Sequence, residues 1–162
     1  SESLCDRFAR VDKQEFGDIK GVTDKGYYDN SFHVSSRINM SPFDKLRLEA
    51  LGHKYSAGGH ISYIETDSLT KNLEAIPDIL RYAKMVGIHY MGINQPVDKC
   101  HICGYKGEFT ATKEGFTCPQ CGNHDSNEMS VIRRVCGYLS QPNARPFNKG
   151  KQEEIMHRVK HS

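Results

Sequence analysis

Two closely spaced pairs of cysteines are the first feature of this sequence that could do chemistry. The pairs are CHIC at 100–103 and CPQC at 118–121, and a glycine follows each of them. Four thiolates suit a closed tetrahedral Zn²⁺ site, which has no open position and is therefore structural. Glycine after each pair lets the backbone amides turn back toward the sulfur atoms, and the spacer predicts a small hairpin. We predict that four ligands hold structural zinc: Cys100, Cys103, Cys118 and Cys121.

Two redox-active pairs, free thiols and an iron–sulfur cluster are the alternatives to zinc at these cysteines. Disulfides are disfavoured because four of the six cysteines have metal-ligand spacing, which is typical of a reducing compartment. His101 and His124 flank the pairs and are interpreted as bystanders, although either could replace a thiolate. The spacer has equal numbers of lysines and glutamates, so no basic stripe supports nucleic-acid binding.

A glycine between a thiol and a phenol is the second feature, Gly137 in the run VIRRVCGYLSQPNARPFNKGKQEEIMHRVKH at 131–161. By itself this glycine predicts only a turn. With the four cysteines shortly upstream, however, the run strongly resembles the C-terminus of anaerobic (class III) ribonucleoside-triphosphate reductases, which are glycyl-radical enzymes. The resemblance extends back to ESLCDRFARVDKQEFG and covers essentially the whole chain.

The resemblance implies that Gly137 stores the radical. An unpaired electron on a backbone α-carbon is stabilised by the amide nitrogen on one side and the carbonyl group on the other. Such a centre prefers to be planar, and a Cβ would then clash with the flanking peptide groups, so glycine is the residue that fits. A simple turn glycine is the alternative.

The resemblance also implies the cofactors and partners. A partner activating enzyme that uses S-adenosylmethionine and an iron–sulfur cluster removes one α-hydrogen from the glycine. The radical then passes to a cysteine, whose thiyl takes the 3′-hydrogen of a ribonucleoside triphosphate, with formate as the possible reductant. In this family the attacking cysteine and the nucleotide-sensing region lie toward the N-terminus. The N-terminal part of the reductase is therefore an expected partner, and the full enzyme is expected to be a homodimer.

Four further residues are weaker candidates for the radical chemistry. Cys136 could relay the radical and Tyr138 could be a redox relay, but packing is the better interpretation of both. Glu2 resembles a family carboxylate near the substrate pocket. Cys5 lies too early in the chain to be supported as the thiyl residue.

Two arginines and two residues at strand ends can each be interpreted in two ways. Arg133 and Arg134 could hold the radical segment through ion pairs, or could form a docking patch for the activating enzyme. His60 and Asn94 lie at the ends of predicted strands, where an α/β barrel places its chemistry, but burial or capping explains them equally well.

The elements that would position these residues alternate between strand and helix. Strands are predicted at 32–40, 60–65 and 88–94. One helix begins at Ser41 and Pro42, an N-cap followed by a first-turn proline, and ends before the SAGG run. Another is predicted over 69–86, kinked or restarted at Pro77 and ended by Gly87. A last helix is predicted in NKGKQEEIMHRVK at 148–160.

This order predicts an α/β fold with a parallel layer. Its strands would have unpaired edges, which calls for further strands. By resemblance, residues 1–96 are the C-terminal part of a ten-stranded glycyl-radical-enzyme α/β barrel. A zinc ribbon is expected at 97–125, and the glycyl-radical loop with the terminal helix at 126–162.

Composition places the chain among soluble globular proteins, which we expect to be cytoplasmic. It has 162 residues, 37% of them hydrophobic and 26% charged, with a net charge of +2. That charge is too small to argue for nucleic acid or an anionic membrane. No apolar run approaches the roughly 20 residues of a transmembrane helix, and no signal peptide is visible. The start, without methionine, favours a fragment of a longer protein over a trimmed complete one.

The sequence therefore predicts the C-terminal, radical-storing part of an anaerobic ribonucleotide reductase. With its N-terminal part it would reduce ribonucleoside triphosphates to the 2′-deoxy forms and so supply DNA precursors. The alternative is a standalone radical-carrying spare part or zinc-ribbon adaptor with no turnover of its own. A zinc-ribbon nucleic-acid binder is a third, weaker hypothesis.

Overall fold

The structure is a computed structural model that describes residues 4–29, 33–56, 58–135, 138–140 and 147–161. The chain divides into two compact units. The first contains Ser1–Asn30 and Val97–Arg158, and the second contains Ser31–Pro96 and Val159–Ser162. The predicted boundary after residue 96 coincides with a boundary between units, whereas the first 30 residues group with the ribbon segment. The three predicted domains stay a prediction.

Four α-helices and nine strands lie within the described ranges. The helices are α1 (Cys5–Phe16), α2 (Pro42–His53), α3 (Ala75–Val86) and α4 (Lys149–His157). The strands are β1 (Ser62–Glu65), β2 (Met91–Asn94), β3 (Asp98–Cys100), β4 (Lys106–Gly107), β5 (Thr110–Thr112), β6 (Gly115–Thr117), β7 (Met129–Ser130), β8 (Arg133–Val135) and β9 (Tyr138–Ser140). No described helix combines the length and apolar character needed to cross a membrane.

The second unit is an α/β arrangement of α2, β1, α3 and β2. The strands β1 and β2 pair in parallel, with Ser62 opposite Met91 and Glu65 opposite Asn94. The helices and β1 enclose a small core of four buried side chains: Leu46, Ile64, Ile79 and Ala83. The parallel pairing predicted from the alternation of strand and helix is confirmed for these two strands.

The strand predicted at 32–40 is wrong for the residues that the structure describes there, 33–40, which contain no strand. Their backbone donors go elsewhere. The N–H of Val34 donates to the Glu49 side chain at 2.9 Å, and the N–H of Ile38 closes a turn onto Ser35. An alternation of apolar and polar residues does not reveal that a side chain will take the place of a neighbouring strand.

The helix predicted at 69–86 is split in two, as Pro77 allowed. A short 3₁₀ helix covers Leu69–Lys71, and α3 begins afresh at Ala75 with Pro77 in its first turn. Proline is tolerated there because the first-turn N–H groups have no partner inside the helix. The helix ends at Gly87, whose φ of 88° is left-handed, as predicted.

The first unit contains two helices, α1 and α4, and the segment from β3 to β7, which carries the four cysteines and is called the cysteine ribbon below. The ribbon has a three-stranded sheet in the order β4-β3-β7 and the antiparallel hairpin β5-β6, so the predicted hairpin is confirmed. The terminal helix α4 is also confirmed, with Asn148 as its N-cap. The helix α1 was missed because its sequence is polar and buries only Cys5 and Ala9. It packs against α4 so closely that a Cβ on Gly150 would lie 3.1 Å from the Cys5 sulfur.

Candidate functional site

The four predicted metal ligands form one cluster. Their sulfur atoms all lie within 4.8 Å of one another. The Sγ atoms of Cys100 and Cys121 are 3.7 Å apart, as are those of Cys103 and Cys118. Sulfurs bound tetrahedrally to Zn²⁺ at about 2.3 Å would be about 3.8 Å apart, so the spacing fits a zinc site. It is far longer than the roughly 2.05 Å of a disulfide.

The backbone builds the cluster from two equivalent turns. In the first, the N–H of Gly104 donates to the Cys100 carbonyl at 3.1 Å; in the second, the N–H of Gly122 donates to the Cys118 carbonyl at 2.9 Å. Both glycines have left-handed φ values, 76° and 73°, which a residue with a Cβ rarely adopts. Each glycine therefore supplies the left-handed position at which the turn around its cysteine pair closes.

Electrostatics within the cluster favour a cation. The backbone amide of Cys103 donates to the Cys100 sulfur and, against the effect of burial, lowers the pKa of Cys100 to about 6. The thiolate that this favours is the form that binds metal. In contrast, despite a hydrogen bond from the backbone of Tyr105, burial and the neighbouring thiols raise the pKa of Cys103. Four thiolates this close therefore need a positive ion between them, and the donor set fits Zn²⁺.

The flanking histidines lie outside the cluster. The Nε2 atom of His101 is 3.1 Å from the Ser130 hydroxyl, and both His101 and His124 are exposed. Neither belongs to the ligand group that the four cysteines form. The geometry agrees with the interpretation of both as bystanders.

Two strands bracket the predicted radical residue in sequence. The strands β8 and β9 are antiparallel, and Val135 is the pairing partner of Tyr138. The residues between them, Cys136 and Gly137, lie outside the described residues, as does Glu2. The radical role of Gly137 and the relay roles of Cys136 and Tyr138 stay predictions.

Arg133, the first residue of β8, makes an ion pair with the buried carboxylate of Asp98. Of the two roles left open for this arginine, the geometry favours an ion pair within the chain over an exposed docking patch. Asp98 was not among the candidates predicted from the sequence. The available indication was its position two residues before Cys100, on a strand whose alternate residues are buried.

Two remaining candidates, Cys5 and Asn94, have partners of their own. Cys5 is buried and its sulfur lies 3.9 Å from the Asn148 side-chain oxygen. Asn94, at the end of β2, donates to the carboxylate of Glu65 at 2.9 Å. This contact joins the C-terminal ends of two parallel strands, so capping accounts for Asn94.

A buried polar network surrounds Glu49 in the second unit and was not expected from the sequence. Glu49 is 1% exposed and makes an ion pair with Lys45, while the Nδ1 atom of His33 lies 3.5 Å from the same carboxylate oxygen. Burial opposes ionisation, yet the contacts with His33 and Lys45 lower the pKa of Glu49 to about 2. The predicted candidate His60 belongs to this network, since its ring stacks at 5.2 Å on that of His33.

His53 extends this network to the strands. The N–H of His89 donates to its Nδ1 atom at 3.3 Å, so the proton of the neutral ring lies on Nε2, which donates to the Ser62 hydroxyl at 3.0 Å. Burial, and then the neighbouring His60 and His89, lower the pKa of His53 to about 4. The network therefore combines the Lys45–Glu49 ion pair with the neutral rings of His53 and His60, both of which have lowered pKa values.

Comparison with known proteins gives matches to one family along nearly the whole chain. Residues 1–161 match the family model of anaerobic ribonucleoside-triphosphate reductases. The chain is 53% identical over 161 residues to the anaerobic ribonucleoside-triphosphate reductase of Escherichia coli K12, covering 99% of this chain and 22% of that protein. It is 50% identical to the protein of the same name from Enterobacteria phage T4, covering 26% of that protein.

A solved structure has the same fold. It is an anaerobic ribonucleotide reductase that superposes on 100% of this chain with a TM-score of 0.68 and 20% sequence identity. The match covers 24% of that structure's chain. The chain thus spans about a quarter of the length of the proteins it matches.

Proposed function

The chain belongs to the anaerobic ribonucleoside-triphosphate reductase family, and we propose that it is the C-terminal, radical-storing part of such an enzyme. With an N-terminal part it converts ribonucleoside triphosphates to 2′-deoxyribonucleoside triphosphates, the precursors of DNA. The observation that carries the proposal is the match over residues 1–161, at 53% identity to one relative. That range includes both cysteine pairs and the glycine at 137.

Gly137 stores the unpaired electron in this proposal. A partner activating enzyme, using S-adenosylmethionine and an iron–sulfur cluster, takes one α-hydrogen atom from the glycine. In turnover the glycyl radical takes a hydrogen atom from a cysteine of the N-terminal part, and the resulting thiyl takes the 3′-hydrogen of the ribose. Formate supplies the reducing equivalents, so that ribonucleotide, formate and a proton give deoxyribonucleotide, carbon dioxide and water.

The four cysteines hold structural Zn²⁺ in this proposal. When bound, the ion supplies no chemistry of its own, because all four positions are filled by sulfur; it holds the two turns of the ribbon together. The thiolate character of Cys100 and the 3.7 Å sulfur spacings support this assignment. The residues that follow the ribbon then include β8 and β9, which flank Gly137 in sequence.

The second unit is proposed to be part of the ten-stranded barrel of the enzyme. Its parallel strands β1 and β2, with α2 and α3, have the connectivity that such a barrel repeats. The likeness of fold to a solved reductase supports this assignment. The substrate, the activating enzyme and a second copy of the whole enzyme, forming a homodimer, are the proposed partners.

Anaerobic activation tests the proposal. The reductase that contains this chain, treated with its activating enzyme and S-adenosylmethionine, should give an electron paramagnetic resonance doublet from the remaining α-hydrogen of Gly137. Brief exposure to air should then cut the backbone at that residue. Gly137→Ala should abolish the doublet, the cut and deoxynucleotide synthesis together.

A matched control is Gly58→Ala. A Cβ at Gly58 would meet no atom within 4 Å, and its φ is not in the left-handed region. This variant should keep the doublet and the activity. Full deoxynucleotide synthesis by Gly137→Ala would overturn the proposal, and a doublet without turnover in the assembled enzyme would favour the radical spare part.

A further inference from the structure

Asp98 is a buried carboxylate on the strand that leads to the candidate metal centre. It is the first residue of β3, which ends at Cys100, and it is 1% exposed. Lys99 between them is exposed, so Asp98 and Cys100 share the buried face of one strand. A buried carboxylate destabilises a fold unless its charge is paired and its oxygens are hydrogen-bonded.

The partners of Asp98 come from segments far away in sequence. One oxygen accepts from the N–H of Phe109 at 2.8 Å. The other accepts from the N–H of Ile132 at 3.2 Å and from the guanidinium of Arg133. Phe109 precedes the ribbon hairpin and Ile132 precedes β8, so a single carboxylate joins three segments.

Arg133 is fixed by more than this carboxylate. Its side chain is 10% exposed. It also donates to the carbonyls of Phe109 and Ile132, at 3.2 and 3.0 Å, and its guanidinium lies 4.9 Å from the ring centroid of Phe116. The planar fork of arginine can serve a carboxylate, a carbonyl and an aromatic face together, which an ammonium group cannot. The first residue of β8 is therefore held on several sides.

We propose that Asp98 and Arg133 are positioning residues, which transmit the order of the cysteine ribbon to the segment that carries the radical. This inference rests on the proposed radical role of Gly137. Cys100 belongs to the metal centre, β3 extends its order to Asp98, and the ion pair fixes the start of β8. Gly137 follows Arg133 by four residues, so a displacement of Arg133 is passed along β8 toward it.

The test compares variants of the full reductase loaded with zinc. Asp98→Asn keeps the size of the side chain but removes its charge, and Arg133→Gln removes the guanidinium group and its positive charge. Each should lower the yield of glycyl radical per chain, after a fixed activation time, by about tenfold, as expected for one lost charge-assisted hydrogen bond. Arg133→Lys should lower the radical yield nearly as much, because lysine keeps the positive charge but lacks the planar guanidinium group.

Two measurements separate positioning from loss of the ribbon. Zinc content should stay at the wild-type level in every variant. Hydrogen–deuterium exchange should become faster in the peptide over 131–140 and at Phe109, whose N–H donates to Asp98, and stay unchanged in the two cysteine turns, 100–104 and 118–122. The double variant Asp98→Asn/Arg133→Gln should lose no more radical than the worse single variant, because the two residues act as one pair.

The control pair is Asp78 with Arg81, which has the same residue types at 2.7 Å but is exposed. Asp78→Asn/Arg81→Gln should leave radical yield and exchange unchanged, since exposed pairs contribute little. Wild-type radical yield in the Asp98 and Arg133 variants, loss of their zinc, or multiplying effects in the double variant would each overturn the proposal. A wild-type enzyme with no radical would refute the proposed function instead, while the exchange data would still decide whether the pair positions β8.

Discussion

At the scale of single residues, burial decides which groups of the second unit carry charge. His53 is 1% exposed, and its pKa falls to about 4 through burial and then through His60 and His89. Burial also lowers the pKa of His60. The Lys45–Glu49 pair and His33 face the same network, so an added proton would enter a region with little solvent to screen it.

This network predicts a loss of stability in acid. A histidine whose pKa is lowered by folding stabilises the fold fully above its unfolded pKa of about 6.5, and that contribution is lost as the pH falls toward the folded value. Glu49, with a pKa of about 2, adds a further loss below about pH 4.5. The melting temperature of the protein should therefore fall between pH 7 and pH 4.5.

Substitution of His53 checks the assignment. His53→Asn should flatten the pH dependence of the melting temperature, since one fewer group takes up a proton on unfolding. His124→Asn, at an exposed position outside the network, should leave the slope as it is in the wild type. An unchanged slope in His53→Asn would show that other groups take up the protons.

The residues that sequence analysis found and missed differ in a physical way. The four cysteines were predictable because metal binding requires a fixed local spacing and glycines in left-handed turns. Asp98 and Glu49 gave no such pattern, because most of their partners lie far along the chain, although Lys45 is only four residues from Glu49. Arg133 is 35 residues from Asp98, and the Val34 amide is 15 residues from Glu49.

At the scale of elements, local chemistry decides where α2 begins. The Ser41 hydroxyl accepts from the N–H of Asp44 at 3.1 Å, and Pro42 occupies the first helical position. The cap and the proline lie within four residues of each other, and the sequence predicted this helix correctly. The strand expected at 32–40 is absent from 33–40, where the N–H of Val34 donates to the Glu49 side chain instead of to a neighbouring strand. The helix α1 was missed because its sequence is polar and its packing partner, α4, lies far along the chain.

Removal of this cap should have a defined effect. Ser41→Ala should lower the free energy of unfolding by about 1 kcal/mol, because one N–H at the helix start loses its acceptor. Urea denaturation followed by circular dichroism measures this change. Ser126→Ala, an exposed serine in a 3₁₀ turn, is the control and should change stability by less than about 0.5 kcal/mol. Equal effects of the two substitutions would count against the capping role.

At the scale of the whole molecule, the second unit has a small core and leaves several large apolar side chains exposed to solvent. Exposed side chains include Leu51 at 68%, Leu73 at 63% and Met85 at 72%. In the described residues its sheet has only β1 and β2, and a sheet of two strands is marginal on its own. In the proposed reductase, neighbouring parts of the barrel would cover these side chains.

Hydrogen exchange tests this expectation. Amides in 42–94 should exchange more slowly in the full reductase than in the isolated chain, because added strands and covering side chains suppress local opening. Amides in 97–121 should exchange at similar rates in both when zinc is present, since the metal stabilises the ribbon locally. Equal exchange of 42–94 in the two proteins would mean that the unit needs no neighbour.

The spacing of one residue between Asp98 and Cys100 on β3 limits how this part of the chain can vary in length within the family. Asp98 and Cys100 point to the same side only because one residue separates them on the strand. An insertion or deletion at Lys99 would turn either the carboxylate or the thiolate outward. The ribbon would then lose either a metal ligand or the ion pair between Asp98 and Arg133 that joins it to β8. The hairpin tip between Thr112 and Gly115 contains none of the residues that bind Asp98, so natural length differences should accumulate there.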